Sequence, residues 1–263
     1  MRRTIGEYLR IEVAPHAVSV QRASRWRWPG RAATSAGVLA AQAIAPSADH
    51  SFDAIANALR ALLGELDAGG WPVSFIVADE LTRMWRVTPP PGAARMADLE
   101  AAASLRFQSL YGEAPSAWQL AADWSTTQPF FAAAVPRALL ALLSAVAQDS
   151  RLAIVAIEPR FVHAWNCGRR SLQPGAWFGH VHDQLLTLGA TAAGGVGLCA
   201  IRALPIPPGA DHAWLTQTLQ REALLLDMQA PALLQVSGDA PAAWTQAVSN
   251  AAQIPCAPLG KPA

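Results

Sequence analysis

Two histidines two residues apart, His180 and His182 in the segment GHVHDQL, are the side chains of this 263-residue chain whose types and spacing most directly suggest chemistry. Residues i and i+2 of a strand project from one face, so two imidazoles placed this way could form half of a zinc-type site. A metal needs three or four ligands and partners that orient them. Asp183 is expected to point to the opposite side, and His212, the other histidine of that half, stands near a helix start. A polar strand face beside a turn is therefore expected, with a small metal-binding module as the alternative.

Other local candidates carry less. Gly194 to Gly197, GGVG, precede a strand-like run, so no helix N-terminus would face a phosphate and a hairpin turn is expected. Cys167, Cys199 and Cys256 are far apart without CxxC spacing and are expected to be reduced thiols. No GxSxG elbow, HExxH pair or ordered Cys–His cluster occurs. RWRWPGR, Arg25 to Arg31, alternates cation and indole and could stack on nucleic acid or rest at a membrane interface, yet the exposed end of a hairpin accounts for it as well.

Composition removes broad classes. The chain is 52% hydrophobic and 15% charged with a net charge of +1, so it buries a substantial core and has no overall attraction for nucleic acid or anionic lipid. Arginine is scattered through every segment, and Lys261 is the sole lysine. The start, MRRTIGEYLRIEV, places Glu7, Arg10 and Glu12 where a signal peptide would be apolar, and no window offers the roughly 20 apolar residues of a spanning helix. A soluble cytosolic protein is expected.

The elements that must position any site begin with YLRIEVAPHAVSVQRASRW, Tyr8 to Trp26. Leu9, Ile11 and Val13 alternate with polar residues, as do Val18 and Val20, which predicts a half-buried hairpin turning at Ala14-Pro15-His16. A third strand follows near 37–44. A helix comes next, with Ser51 as N-cap, an apolar stripe through Ile55, Leu59, Leu62, Leu63 and Leu66, and a stop at Gly69-Gly70. Strands over 71–80 and 83–88, a helix over 94–112, a hairpin through 125–128, a helix opened by Pro136 and a strand ending near Pro159 complete a first half, with a further helix to Cys167. A polar, glycine-bearing stretch near 168–175 suggests a boundary. Beyond it come three strands, a helix capped by Asp211, a strand, a last helix over 239–252 and a frayed tail from Gln253.

Both halves run three antiparallel strands, helix, strand, helix, the layout of actin-like, ribonuclease-H-like ATPases, in which two such domains flank a nucleotide cleft. Over about Val73 to Pro159 the resemblance narrows. VSFIVADELTRMWRVTPPP, LEAAASLRFQSLYGEAPSAWQLAADW and FFAAAVPRALLALLSAVAQDSRLAIVAIEP resemble the PilM family of type IV pilus assembly proteins and the related cytoplasmic GspL domain of type II secretion. The matching features are the polar turn and Pro-rich link, the helix beginning Leu99-Glu100-Ala101-Ala102, the helix after a V-P step, and a strand closing on Glu158. The resemblance implies an α/β, actin-like fold of two related subdomains: residues 1–168, with an inserted α+β subdomain at about 94–149, and a shortened 169–263.

It also implies where a nucleotide would sit. Relatives that bind ATP place Asp, an aliphatic residue, Gly and Ser in the first hairpin turn, where this chain has Ala14, Pro15 and His16. Proline removes an N–H where a phosphate needs one. The second hairpin's Asp-x-Gly turn is replaced by Gly179, His180, Val181, His182 and Asp183, out of register, and the Gly-Gly adenosine loop by Gly238 alone. No cofactor is expected and ATP hydrolysis is not, an actin-like ATPase with a divergent site being the alternative. The family implies instead a non-catalytic cytoplasmic scaffold, peripheral to the inner membrane, that captures the N-terminal cytoplasmic peptide of a PilN-like membrane protein; contacts with other platform components and self-association are left open by the sequence. Trp85, Arg106, Trp118 and Trp124, in or beside the most similar segment, are the expected partner-facing residues, since buried aromatic and arginine anchors dominate interface energy.

Overall fold

The structure, a computed structural model, describes residues 6–24, 37–45, 52–192, 197–246 and 253–259. Ser51, the Arg25 to Arg31 run and most of GGVG lie outside the described residues. The chain divides into two units between Arg160 and Phe161, earlier than the expected boundary after residue 168. Phe161 and Trp165 cause the shift, because both rings pack against Phe178 with centroids 5.6 Å away.

In the first unit β1 (Glu7–Val13) and β2 (Ala17–Ser24) form the expected hairpin, with Ile11 opposite Val20. β3 (Val38–Ala43) pairs antiparallel with β2, while β4 (Pro72–Val77) pairs parallel with β1, setting Ile11 beside Phe75. Leu9, Ile11 and Val13 are fully buried because alternation sends all three to one face. α1 (Asp53–Gly64) lays Ile55, Leu59, Leu62 and Leu63 in the core beneath that face, each such residue contributing roughly 1.5–3 kcal/mol. It ends at Gly64, before Gly69-Gly70, and Phe52 stands at its N-cap without a side-chain capping bond.

The chain then leaves this sheet and builds a smaller one. β5 (Arg83–Val87), α2 (Met96–Tyr111), β6 (Trp118–Ala122) and β7 (Phe130–Pro136) form a three-stranded antiparallel sheet, order β5-β7-β6, with α2 against it. Leu99, Ala103 and Phe107, four residues apart along α2, meet Trp85, Trp118 and Phe130 in a separate core. Gly112 ends α2 at φ 68°, its N–H donating to the Gln108 carbonyl.

α3 (Arg137–Asp149) returns to the first core through Leu139, Leu143, Val146 and Ala147 and feeds β8 (Ala153–Pro159) alongside β4. The insert therefore spans 83–136, in place of the expected 94–149. β5 has to join β7 to complete the small sheet, and α3 packs with α1.

The second unit opens with α4 (Arg160–Gly168), whose first residue closes the first unit. β9 (Ala176–His182), β10 (Leu185–Thr191) and β11 (Leu198–Pro205) follow as an antiparallel meander. α5 (His212–Leu225) begins where Asp211 accepts a bond from the Trp214 N–H at 2.8 Å. β12 (Leu233–Gly238) lies parallel to β9.

Two expectations change here. The described part of the last helix is a single tight turn, Ala242–Trp244, pinned by the buried Trp244 ring, which stacks on Trp214 at 5.7 Å and donates to the Ala210 carbonyl at 3.0 Å. The tail is not frayed at its start: β13 (Cys256–Pro258) pairs parallel with β12, burying Cys256 opposite Leu234.

The two five-stranded sheets share one order, β3-β2-β1-β4-β8 and β11-β10-β9-β12-β13. In each, the first strand sits between its antiparallel hairpin mate and a parallel strand that follows a helix. None of the described helices is long and apolar enough to cross a membrane.

Candidate functional site

Ligands of α/β sheets bind beyond the carboxyl ends of the parallel strands. In the first unit Val13, Val77 and Pro159 stand side by side at those ends, so the chain beyond them, including the turn 14–16, is the place to look.

That turn is closed. The Ala14 N–H donates to the Ala17 carbonyl at 2.9 Å, Pro15 has no N–H, and the His16 carbonyl accepts from Ile44 at 2.7 Å. Ala14 is buried, and none of the three residues has a positive φ. A phosphate-holding turn needs convergent N–H groups. Here one is committed to the hairpin and one is missing.

Carboxylates crowd the same end. Glu12 and Glu158 flank Ile76 on one face of the sheet. The buried Arg160 reaches Glu12 at 3.5 Å, and Gln21 donates to the same carboxylate at 3.4 Å while accepting from Arg10. This half-buried network ties β2, β1 and the end of β8 together. Sequence alternation marks Glu12 as polar but gives no sign of Arg160, which lies far away in the chain.

The second unit's hairpin turns at Asp183 and Gln184, with φ of 48° and 61°, a primed turn usually made by Asn-Gly. Gly179 is mid-strand, where a Cβ would stand 3.1 Å from both Leu186 Cδ1 and Val236 Cγ1, so its lack of a side chain serves packing. Gly238 holds φ 83°, and a Cβ there would overlap the Val181 carbonyl oxygen and lie 3.1 Å from its carbon. That approach lets the Asp239 N–H reach the Val181 carbonyl at 2.9 Å. Both glycines at the nucleotide positions thus have local structural work.

His180 and His182 share a strand face but have different partners. His180 Nδ1 meets the Ser237 hydroxyl at 2.9 Å. His182 Nε2 lies 2.6 Å from the Asp183 carboxylate, which folds back instead of pointing away, and its Nδ1 lies 3.4 Å from Asp239. The primed turn is what brings Asp183 round. The two ring nitrogens of His182 face different acids, and His212 approaches Thr216, at 3.5 Å. Among the described residues no group of three or more His, Cys, Asp and Glu could hold a metal.

The expected partner-facing residues divide. Trp85 and Trp118 are buried in the insert's core, tilted against Phe107 at 5.1 and 5.5 Å, and are not presented to a partner. Their alternation puts them on the side covered by α2, a side the sequence leaves open until the sheet's helix is placed. Arg106 is exposed on α2, and Trp124 is half-buried against Phe130. Arg83, not singled out by its sequence context, lies over Trp118 and Tyr111 at 5.2 and 5.5 Å and pairs with Glu113 at 3.1 Å. Burial raises the pKa of the Tyr111 phenol, against the pull of Arg83, and its hydroxyl donates to the Met84 carbonyl at 3.0 Å.

No protein-family model matches the chain, and no curated protein does. Solved structures with little sequence in common share the fold. The cytoplasmic domain of EpsL, an inner-membrane component of the type II secretion system of Vibrio cholerae, aligns with a TM-score of 0.59 at 12% identity over 97% of this chain and 90% of that one. A PilM–PilN type IV pilus biogenesis complex aligns at 0.57 and 14% identity, over 90% and 82% of the two chains. A Bacteroides thetaiotaomicron protein with an actin-like ATPase fold gives 0.57 at 10% identity, over 90% and 84%. The chain has this actin-like fold.

Proposed function

We propose that the protein is a non-catalytic scaffold on the cytoplasmic side of a type IV pilus or type II secretion platform, held at the inner membrane by a PilN-like membrane protein whose N-terminal peptide it binds. The observation that carries this is the closed turn at Ala14-Pro15-His16: on a fold shared with a PilM–PilN complex and with the EpsL domain, the first phosphate position offers a committed amide and a proline. Glu12 and Glu158, on the strands that end beside it, add negative charge where a phosphate would bring more. The family-like insert, 83–136, supplies a rigid sheet and helix against which a short peptide orders on binding.

The test is a calorimetric titration of the full chain with the first residues of a PilN-like protein encoded nearby, with Mg-ATP titrated into the same preparation. Saturable peptide binding without ATP binding or turnover supports the scaffold. Tight magnesium-dependent ATP binding with turnover overturns the non-catalytic reading in favour of an actin-like ATPase.

A further inference from the structure

Exposed strand edges invite pairing, and folded proteins blunt them with bulges, charges, proline or brevity. The larger sheets follow that rule. β3 carries a register shift that leaves Leu39 as the extra residue, β8 one that leaves Val155, and β11 one that leaves Cys199. β13 is three residues long and ends in proline. In the insert, β5 bears Arg83 and Arg86, and the Tyr111 hydroxyl covers its Met84 carbonyl.

β6 has no bulge, charge or proline of its own. WQLAA is uncharged, free of proline and in unbroken register with β7. Among the described residues nothing pairs with its outer side.

The phase of its hydrogen bonds can be read. Asp123 N–H donates to the Phe131 carbonyl at 3.1 Å, so Gln119, Ala121 and Asp123 face β7, and Trp118, Leu120 and Ala122 turn their backbone groups outward. The Trp118 N–H is taken by the Pro115 carbonyl, and the Leu120 carbonyl accepts from the Gln119 side chain at 3.3 Å.

Charge then selects the occupant. At the start of β6 the exposed Arg137 donates from Nε to the Ser116 carbonyl at 3.1 Å and from Nη1 to Gln119 Oε1 at 2.6 Å. At its far end stands the exposed Asp123, on the same sheet face as Gln119 by alternation. A second copy laid antiparallel about a two-fold axis at Leu120 exchanges reciprocal bonds at Leu120 and accepts the Ala122 N–H at its Trp118 carbonyl. The same axis sets the second copy's Asp123 across from Ala117, between the two residues that hold Arg137. Symmetry makes that contact twice.

We infer that two copies of this chain pair through β6, antiparallel about Leu120, joining their insert sheets into one continuous sheet with reciprocal Arg137–Asp123 contacts. The interface is small and the dimer accordingly weak and concentration-dependent. It does not rest on the scaffold function proposed above.

Sedimentation velocity of the full chain over a concentration series tests it. A monomer–dimer equilibrium that tightens at low salt is expected. Asp123→Arg weakens it by about tenfold, and Asp123→Arg with Arg137→Asp restores it. Leu120→Pro removes an outward N–H while sparing the bonds to β7 and gives a monomer. Leu120→Cys forms an intermolecular disulfide under mild oxidation. A monomer at every concentration, a dimer indifferent to Asp123→Arg, or a double variant that stays monomeric overturns the proposal. So does protection of the β6 amides only when another protein's peptide is added, which would make β6 a strand acceptor for that partner.

Discussion

Gly238→Ala separates a structural glycine from a nucleotide-loop glycine. Gly238 closes β12 at φ 83°, a region in which an L-residue with a Cβ costs about 1–2 kcal/mol. Its added carbon would also overlap the Val181 carbonyl oxygen, which is main chain and has no rotamer to yield. Relief requires β12 to retreat from β9, and the 2.9 Å bond from Asp239 to Val181 goes with it, about 1 kcal/mol more. The total is on the order of 3 kcal/mol, or roughly 12 °C in the melting temperature of a unit this size. Gly179→Ala is the control: its φ is ordinary and its Cβ would meet the side chains of Leu186 and Val236 at 3.1 Å, which shift for about 1 kcal/mol. Urea unfolding of the second unit, followed by the fluorescence of Trp177 and Trp244, reads both. Gly238→Ala within about 1 kcal/mol of wild type, or no more costly than Gly179→Ala, refutes the close-approach argument.

In the insert, Trp85→Ala is expected to cost about 3–5 kcal/mol, while Trp85→Phe costs under about 1.5, because the buried Trp85 Nε1 makes no hydrogen bond among the described residues; denaturant titration distinguishes the two. Burial pushes the Cys256 thiol from 9.0 up to about 12, so alkylating reagents at pH 8 should modify the exposed Cys167 first and Cys256 only on unfolding, as read by mass spectrometry. A thiol held neutral in the fold contributes stability fully below pH 9 and loses it as pH rises toward 12, so the decline of the urea midpoint across that window should be shallower in Cys256→Ala than in wild type. Arg160→Met, which leaves the half-buried Glu12 carboxylate to Gln21 and Arg10, should cost about 1 kcal/mol, whereas Arg160→Met with Glu12→Leu recovers most of it.

The first hairpin is legible in the sequence because alternation over Leu9, Ile11, Val13, Val18 and Val20 admits one register, and its turn is legible because proline leaves little choice there. The repeated order of the two halves follows from the same local patterns. What escapes is whatever depends on partners distant in the chain. Trp85 and Trp118 look like surface anchors until α2 covers them, and Arg160 has no visible mate until β1 and β8 are brought either side of β4. Cys256 reads as tail because three residues are too few for a periodic signal, and β12 alone makes them a strand. Asp183 alternates away from His182 on paper, and only the positive φ of the primed turn swings it back.

β7 crosses from one core to the other in a single peptide: Ala134 packs in the insert, Val135 in the first core, and Pro136 opens α3. On the incoming side Ala78 is tied to Val13, and Leu81 to Ala78, through a tight turn. Neither crossing contains a glycine. Mechanically this resembles a cantilever whose root is packed on both sides. A load applied at the insert's outer strand would pass along β7 straight into α3 and the central sheet, the route that its packing lays down.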